Sequence, residues 1–149
     1  MILCDSNVWL ALTLSAHSHH AAARDWLETV VEAASVCFCR ATQQTFLRLL
    51  TNVTVLGVYE IQPLNNEQAW SLYESLFADD RIVAHHREPA GLERRWKELA
   101  LRDTSSPKLW MDAYLAAFAL AGGYQFVTID KAFSQFDGLD LVLLSPPDS

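Results

Sequence analysis

Met1-Ile2-Leu3-Cys4-Asp5-Ser6-Asn7-Val8-Trp9-Leu10-Ala11-Leu12 opens the chain, and its reading decides the fold. Ile2 to Cys4 is a short apolar run without a turn residue, the pattern of a buried strand. It stops at a carboxylate, and Asp5-Ser6-Asn7 supplies three side chains of the helix-capping type. Val8, Trp9 and Leu12 then recur at helical spacing. A strand that hands over to a helix at an acid is a β-to-α turn, and in open α/β sheets ligands bind at this edge. Asp5 alone is equally well read as a helix cap.

The remaining strands and helices alternate. After the first helix, His17-Ser18-His19-His20 leads into a helix beginning near Ala21, with Trp26, Val30 and Ala33 or Ala34 on one stripe. Val36 to Cys39 is the second strand, followed by a helix over Arg40–Thr51 that buries Phe46, Leu49 and Leu50, with Thr42 the expected cap. Asn52 to Pro63 is a connection around Gly57. A helix over Asn66–Ala78, a third strand over Arg81–Ala84 and a charged helix over Ala90–Arg102 come next. The loop Asp103-Thr104-Ser105-Ser106-Pro107 introduces the most apolar helix, Leu109–Ala121, which Gly122-Gly123 stops. Gln125–Thr128 is the fourth strand, residues 131 to 136 one helical turn, and Leu141–Leu144 the fifth strand before a proline-bearing tail. Strands alternating with helices predict an α/β three-layer sandwich with a mostly parallel central sheet of four to five strands. No repeat or linker divides the chain, so residues 1–149 are expected to form a single domain.

The bulk properties bound the function. Half the residues are hydrophobic and 19% are charged, an ordinary globular balance. No apolar run reaches the roughly 20 residues that span a bilayer, and no secretory signal is present, which places the protein in the cytoplasm without a membrane. Cys4, Cys37 and Cys39 are an odd number in strand-like runs, as expected of buried reduced thiols. A net charge of −7 argues against broad phosphate-backbone binding, which needs a basic face. A site built on metal ions supplies its own positive charge, so nucleic acid stays open as a substrate.

Two further acids stand beside Asp5. Asp112 lies near the start of an otherwise apolar helix, where a lone carboxylate is costly unless paired or bound to a cation. Asp130 follows the fourth strand as Asp5 follows the first, so both fall at one sheet edge. Each alone is explained as a helix-start or turn acid; three together point to a carboxylate cluster of the kind that binds Mg2+ or Mn2+. Such clusters activate water against phosphodiesters. Rival chemistries lack their residues: there is no GxGxxG, no GxxxxGK[ST] and no G-x-S-x-G. Acid-nucleophile phosphatases carry a second Asp two residues after the first, and here that position is Asn7. The histidines at 17, 19 and 20 lack convergent spacing and are read as a surface loop.

In this order and spacing, Ile2-Leu3-Cys4-Asp5-Ser6-Asn7-Val8-Trp9, His17-Ser18-His19-His20-Ala21-Ala22, Thr42 through Arg48-Leu49-Leu50-Thr51, Asp112-Ala113-Tyr114-Leu115-Ala116-Ala117 and Phe126-Val127-Thr128-Ile129-Asp130-Lys131 resemble PIN-domain proteins. The resemblance is nearer still to VapC toxins of VapBC-type toxin–antitoxin pairs. It implies a Mg2+- or Mn2+-dependent endoribonuclease with one or two ions, the toxin of a type II toxin–antitoxin system. Its implied partners are an RNA substrate, a cognate VapB-like antitoxin and a second copy in a homodimer. Asp5, Asp112 and Asp130 would hold the metal, with Asn7 and Thr128 orienting the carboxylates. Arg48 or Lys131 would touch phosphate. The family also places a Glu on the helix after the second strand, and in this chain that slot is Thr45. Gln43 and Thr45 are left as neutral support, which should weaken the hold on a hard cation. The missing Glu opens an alternative, a weakly active or inactive PIN-like module that binds RNA or protein. A DNA-directed nuclease fits less well, because the chain has no basic, aromatic-rich extension for gripping duplex.

Overall fold

The computed structural model describes residues 1–145, and the prolines of the tail at 146 and 147 lie outside them. Five strands form one sheet: β1 (Ile2–Cys4), β2 (Val36–Phe38), β3 (Ile82–Ala84), β4 (Gln125–Thr128) and β5 (Leu141–Leu143). Their order is β3-β2-β1-β4-β5, and every neighbouring pair is parallel. The helices are α1 (Ser6–Thr13), α2 (His20–Glu28), α3 (Arg40–Leu50), α4 (Val53–Gly57), α5 (Asn66–Ser75), α6 (Leu92–Ala100) and α7 (Leu109–Gly122). Short 3-10 turns occupy Leu76–Ala78 and Lys131–Gln135.

Strand residues send alternate side chains to opposite faces, which builds two cores. Cys4, Val36, Phe38 and Val127 face α1, α2, α3 and α5, where Val8, Trp9, Ala23, Phe46 and Tyr73 meet them. Leu3, Cys37 and Phe126 face α6 and α7, against Leu92, Ala113, Ala116 and Phe118. Trp9 stacks on Phe38 with ring centroids 3.9 Å apart, joining α1 to the strand beside its own. The three-layer parallel sandwich expected from the pattern is present, and all three cysteines are buried free thiols.

Several boundaries differ from the sequence reading, each for a local reason. Cys39, not Thr42, caps α3: Thr42 sits at the third helical position and its Oγ1 accepts the backbone N–H of Cys39 at 3.0 Å, a capping box read from the other end. The α2 helix ends at Glu28, before Val30 and the alanines assigned to its stripe. Arg81 holds that end, donating from Nη1 to the carbonyls of Leu27 at 2.7 Å and Val30 at 3.1 Å while its other nitrogens grip Asp79. Ala34 turns the chain with φ +53°. The connection after α3 contains α4, capped by Asn52 Oδ1 accepting from Val55 N. The charged helix is α6, shorter at both ends than expected, and Gly91 leads into it in the left-handed conformation. Gly123 ends α7 the same way, at φ +69°, as a glycine after a helix should.

The strand order determines where a ligand belongs. The chain runs outward from β1 through β2 to β3, then crosses back to lay β4 on the other side of β1. After β1 it enters α1 on one face; after β4 it enters the Lys131–Gln135 turn, whose Phe133 packs into the other core. The connections therefore part between the carboxyl ends of β1 and β4, opening a crevice at the topological switch point.

Candidate active site

The switch-point crevice carries the acids. Asp5 caps α1 from the end of β1, with Oδ1 accepting Ser6 N at 2.8 Å. Its Oδ2 accepts the Thr128 hydroxyl from the end of β4 at 2.7 Å. The same Thr128 oxygen accepts the backbone N–H of Asp130 at 3.0 Å. Thr128 is fully buried, so one hydroxyl fixes the relative position of two carboxylate-bearing strand ends.

Asp130 caps the turn that follows, with Oδ1 accepting Ala132 N at 2.9 Å. Its Oδ2 accepts the ammonium of Lys108 at 3.0 Å. Asp112, in the first turn of α7, is half-buried and belongs to the same electrostatic cluster. Burial lifts Asp5 to about 6 against the opposing hydrogen bonds from Thr128 and Ser6, and the charges of Asp112 and Asp130 add to the rise. Burial and Asp130 also raise Asp112, partly offset by Lys108. Burial pushes Asp130 up too, but the Ala132 N–H and Lys108 outweigh it and hold Asp130 below the ordinary carboxylate range.

The other expected residues are placed unevenly. Asn7 lies in the first turn of α1 at the same edge, and its buried Oδ1 has no hydrogen-bond partner. Gln43 is buried, with Oε1 accepting Arg40 Nη1 at 2.6 Å. Thr45 is half-buried, one half-turn further along α3. Lys131 is exposed directly after Asp130. Arg48 is exposed in the last turn of α3, nine residues past Cys39 and so about 13 Å along the axis from the end that meets the sheet edge, and among the described residues it pairs with none of the three acids. The histidine loop is structural: the His17 ring stacks on Tyr59 at 5.0 Å, and His20 Nδ1 donates to Ala11 O at 2.7 Å.

Sequence reasoning missed Lys108, whose pairing with Asp130 spans 22 residues and has no local signature. It also treated Trp110 and Met111 as part of an apolar core helix, whereas they are 55% and 46% exposed, and Trp110 lies edge-on to Trp96 of α6. Trp110 is held there by its carbonyl, which accepts Trp96 Nε1 at 2.8 Å.

The donor set suits a hard divalent cation: carboxylates from three segments and a buried amide oxygen with no partner. Among the described residues no three Asp, Glu, His or Cys side chains stand close enough to grip an ion as they are. Both oxygens of Asp5 and of Asp130 accept hydrogen bonds from internal donors.

Comparison with known proteins bears on the family and the fold. The family model described as the PIN domain matches residues 2–139. The ribonuclease VapC41 of Mycobacterium tuberculosis is 56% identical over 145 residues, covering 97% of this chain and 99% of that protein. The ribonuclease VapC29 of the same organism is 28% identical over 97% of this chain and 96% of its own length. Among solved structures, VapBC2 of Rickettsia felis bound to a promoter DNA fragment superposes with a TM-score of 0.63 at 16% identity, covering 97% of this chain and 100% of that one. Mycobacterium tuberculosis VapC20, a toxin that cleaves the sarcin-ricin loop, does so with a TM-score of 0.61 at 17% identity, covering 94% and 98%. At those identities the structures speak for the fold alone.

Proposed function

This chain belongs to the PIN-domain family and is a homologue of the VapC ribonucleases, and from that premise we propose that it is a toxin endoribonuclease that cuts RNA phosphodiester bonds at the β1–β4 crevice. The observation that carries the site assignment is the Thr128 hydroxyl, which couples Asp5 to the backbone of Asp130. A buried threonine in that position preorganises two carboxylates contributed by different strands, as a site for a divalent ion requires.

Asp5, Asp112 and Asp130 would hold one or two Mg2+ or Mn2+ ions, with the unpartnered Asn7 Oδ1 as a further oxygen donor. When bound, the ion supplies Lewis acidity: it neutralises charge on the phosphate and makes water a stronger nucleophile. Thr128 and the Ser6 N–H aim the Asp5 carboxylate and favour its charged form, offsetting part of the burial that lifts it. Lys131, exposed beside Asp130, would meet a phosphate oxygen of the RNA. Thr45 leaves the family's Glu slot neutral, so the three aspartates carry the whole anionic charge of the site. Close identity to a ribonuclease over nearly the full length favours this reading over that of a catalytically silent module.

The same charge pattern suits inhibition by an antitoxin that lays an arginine among the carboxylates, where a guanidinium makes paired charge-assisted hydrogen bonds. A homodimer completes the proposed assembly. The reading is tested by expressing the wild-type protein and Asp5→Asn in a bacterial host and mapping RNA ends. Growth arrest with discrete new ends for wild type, and neither for the variant, is the expected result; equal arrest and equal cleavage by both rules it out.

A further inference from the structure

Lys108 stands where local rules disfavour it. It occupies the cap position of α7 with no side-chain cap hydrogen bond. Short polar side chains are preferred there, and a cation meets the positive end of the helix dipole. Violations of this kind, in a chain otherwise locally consistent, collect at functional positions. Packing does not explain the placement either, because the side chain is 73% exposed.

What holds Lys108 is charge. Its ammonium lies 3.0 Å from Asp130 Oδ2, and among the described residues it is the one cation paired with any of the three acids. Lys131, adjacent to Asp130 in sequence, makes no such pair. Asp130 acts most strongly on Lys108, and Asp112 and Asp5 also favour its charged form. A divalent ion and this ammonium therefore compete for the same oxygen. Lysine is suited to yield, being a point charge on a flexible four-carbon stem that gains nothing from planar, bidentate geometry.

We propose that Lys108 is a resident counter-cation of the carboxylate crevice, which a divalent ion must displace from Asp130, so that Lys108 sets the ion affinity of the site. The proposal rests on reading the crevice as a divalent-ion site. It makes Lys108 a positioning residue that keeps the three acids from repelling one another while the ion is away. Displacement also frees its ammonium at the mouth of the crevice.

The sign of its effect separates this role from a structural one. A tether between α7 and the Lys131–Gln135 turn would loosen ion binding when removed; a competitor would tighten it. The experiment titrates Mn2+ into the full-length protein without RNA, reading free Mn2+ by electron paramagnetic resonance, for wild type, Lys108→Met, Lys108→Arg, Lys97→Met and Asp5→Asn. Lys108→Met is expected to lower the Mn2+ Kd by about fivefold or more, the lower end of coupling between competing ligands. Lys108→Arg, which keeps the charge and can grip the carboxylate with two nitrogens, gives no tightening, its Kd staying at or above that of wild type. Lys97→Met loses the same charge from α6 and shifts the Kd far less.

An unchanged or weaker Kd for Lys108→Met overturns the proposal, as does an equal tightening by Lys97→Met, which would reduce the effect to net charge. Strong loss of Mn2+ binding in Asp5→Asn with no tightening in Lys108→Met defeats the counter-cation role alone. Undiminished binding in Asp5→Asn defeats the reading of the crevice and the proposal with it.

Discussion

The Thr128 hydroxyl donates to Asp5 Oδ2 at 2.7 Å across a gap of 123 residues and accepts Asp130 N at 3.0 Å. Asp5 thus remains oriented despite a burial that works against its charge. Thr128→Val keeps the side-chain shape and removes the hydroxyl, leaving Asp5 Oδ2 and Asp130 N unsatisfied. Ion affinity or cleavage should fall roughly 10- to 100-fold, the usual effect of losing a supporting partner at a metal site. Thr128→Ser should retain most of both, measured by Mn2+ titration and single-turnover cleavage.

Thr45 holds the position where the family resemblance places a glutamate. Thr45→Glu adds an anionic oxygen donor on α3, and the Mn2+ Kd should drop several-fold, since hard cations are held chiefly by such donors. Gln43→Glu is expected to behave differently. Its side chain already accepts Arg40 Nη1 at 2.6 Å, so the new charge is spent largely in an ion pair with Arg40.

The contact between α1 and the sheet depends on Trp9, which is fully buried and stacked on Phe38. Trp9→Ala should destabilise the protein by about 3–5 kcal/mol, the range for deleting a large buried aromatic. Chemical denaturation midpoints measure this. The loss should reach function as well, because α1 is capped by Asp5 and carries Asn7 in its first turn.

Acid should weaken the clamp at the end of α2. The hydrogen bonds from Arg81 hold the Asp79 carboxylate below its ordinary value, outweighing burial. A carboxylate lowered in the fold contributes stability that is fully present above its unfolded value near pH 4 and is lost as pH falls through the lower folded value. The pair is 19% and 29% exposed, so screening limits its worth to on the order of 1 kcal/mol. Thermal melts of wild type and Asp79→Asn should differ most above pH 5 and converge toward pH 3. A difference that grows on acidification would contradict this account.

The sheet and the three aspartates were legible because each depends on short-range pattern. Apolar runs ending in an acid mark β1 and β4, and an acid in the first turn of an apolar helix marks Asp112. What stayed hidden was set by tertiary contact. Cys39 is a poor cap by composition, and the reach of Thr42 back to its N–H helps close the box. The α2 helix stops where Arg81, more than 50 residues away, takes the carbonyls of Leu27 and Val30. Lys108 looks like an ordinary solvent-exposed lysine until the fold sets Asp130 beside it. The Trp110 and Met111 pair reads as core by hydropathy, but α7 leaves both about half exposed, with Trp110 packed edge-on against Trp96 of α6.

In the proposed mechanism Asp5, Asp112 and Asp130 act together as one divalent-ion site for RNA cleavage. Single-turnover cleavage of an RNA carrying a mapped cut site, by wild type and Asp5→Asn with Mg2+ and with chelator, tests it most directly. Wild type should cleave with Mg2+ and not with chelator, and Asp5→Asn should lose about 100- to 1,000-fold at unchanged folding, the scale expected when a group central to the chemistry is removed. Undiminished cleavage by Asp5→Asn, or by wild type in chelator, would contradict the mechanism.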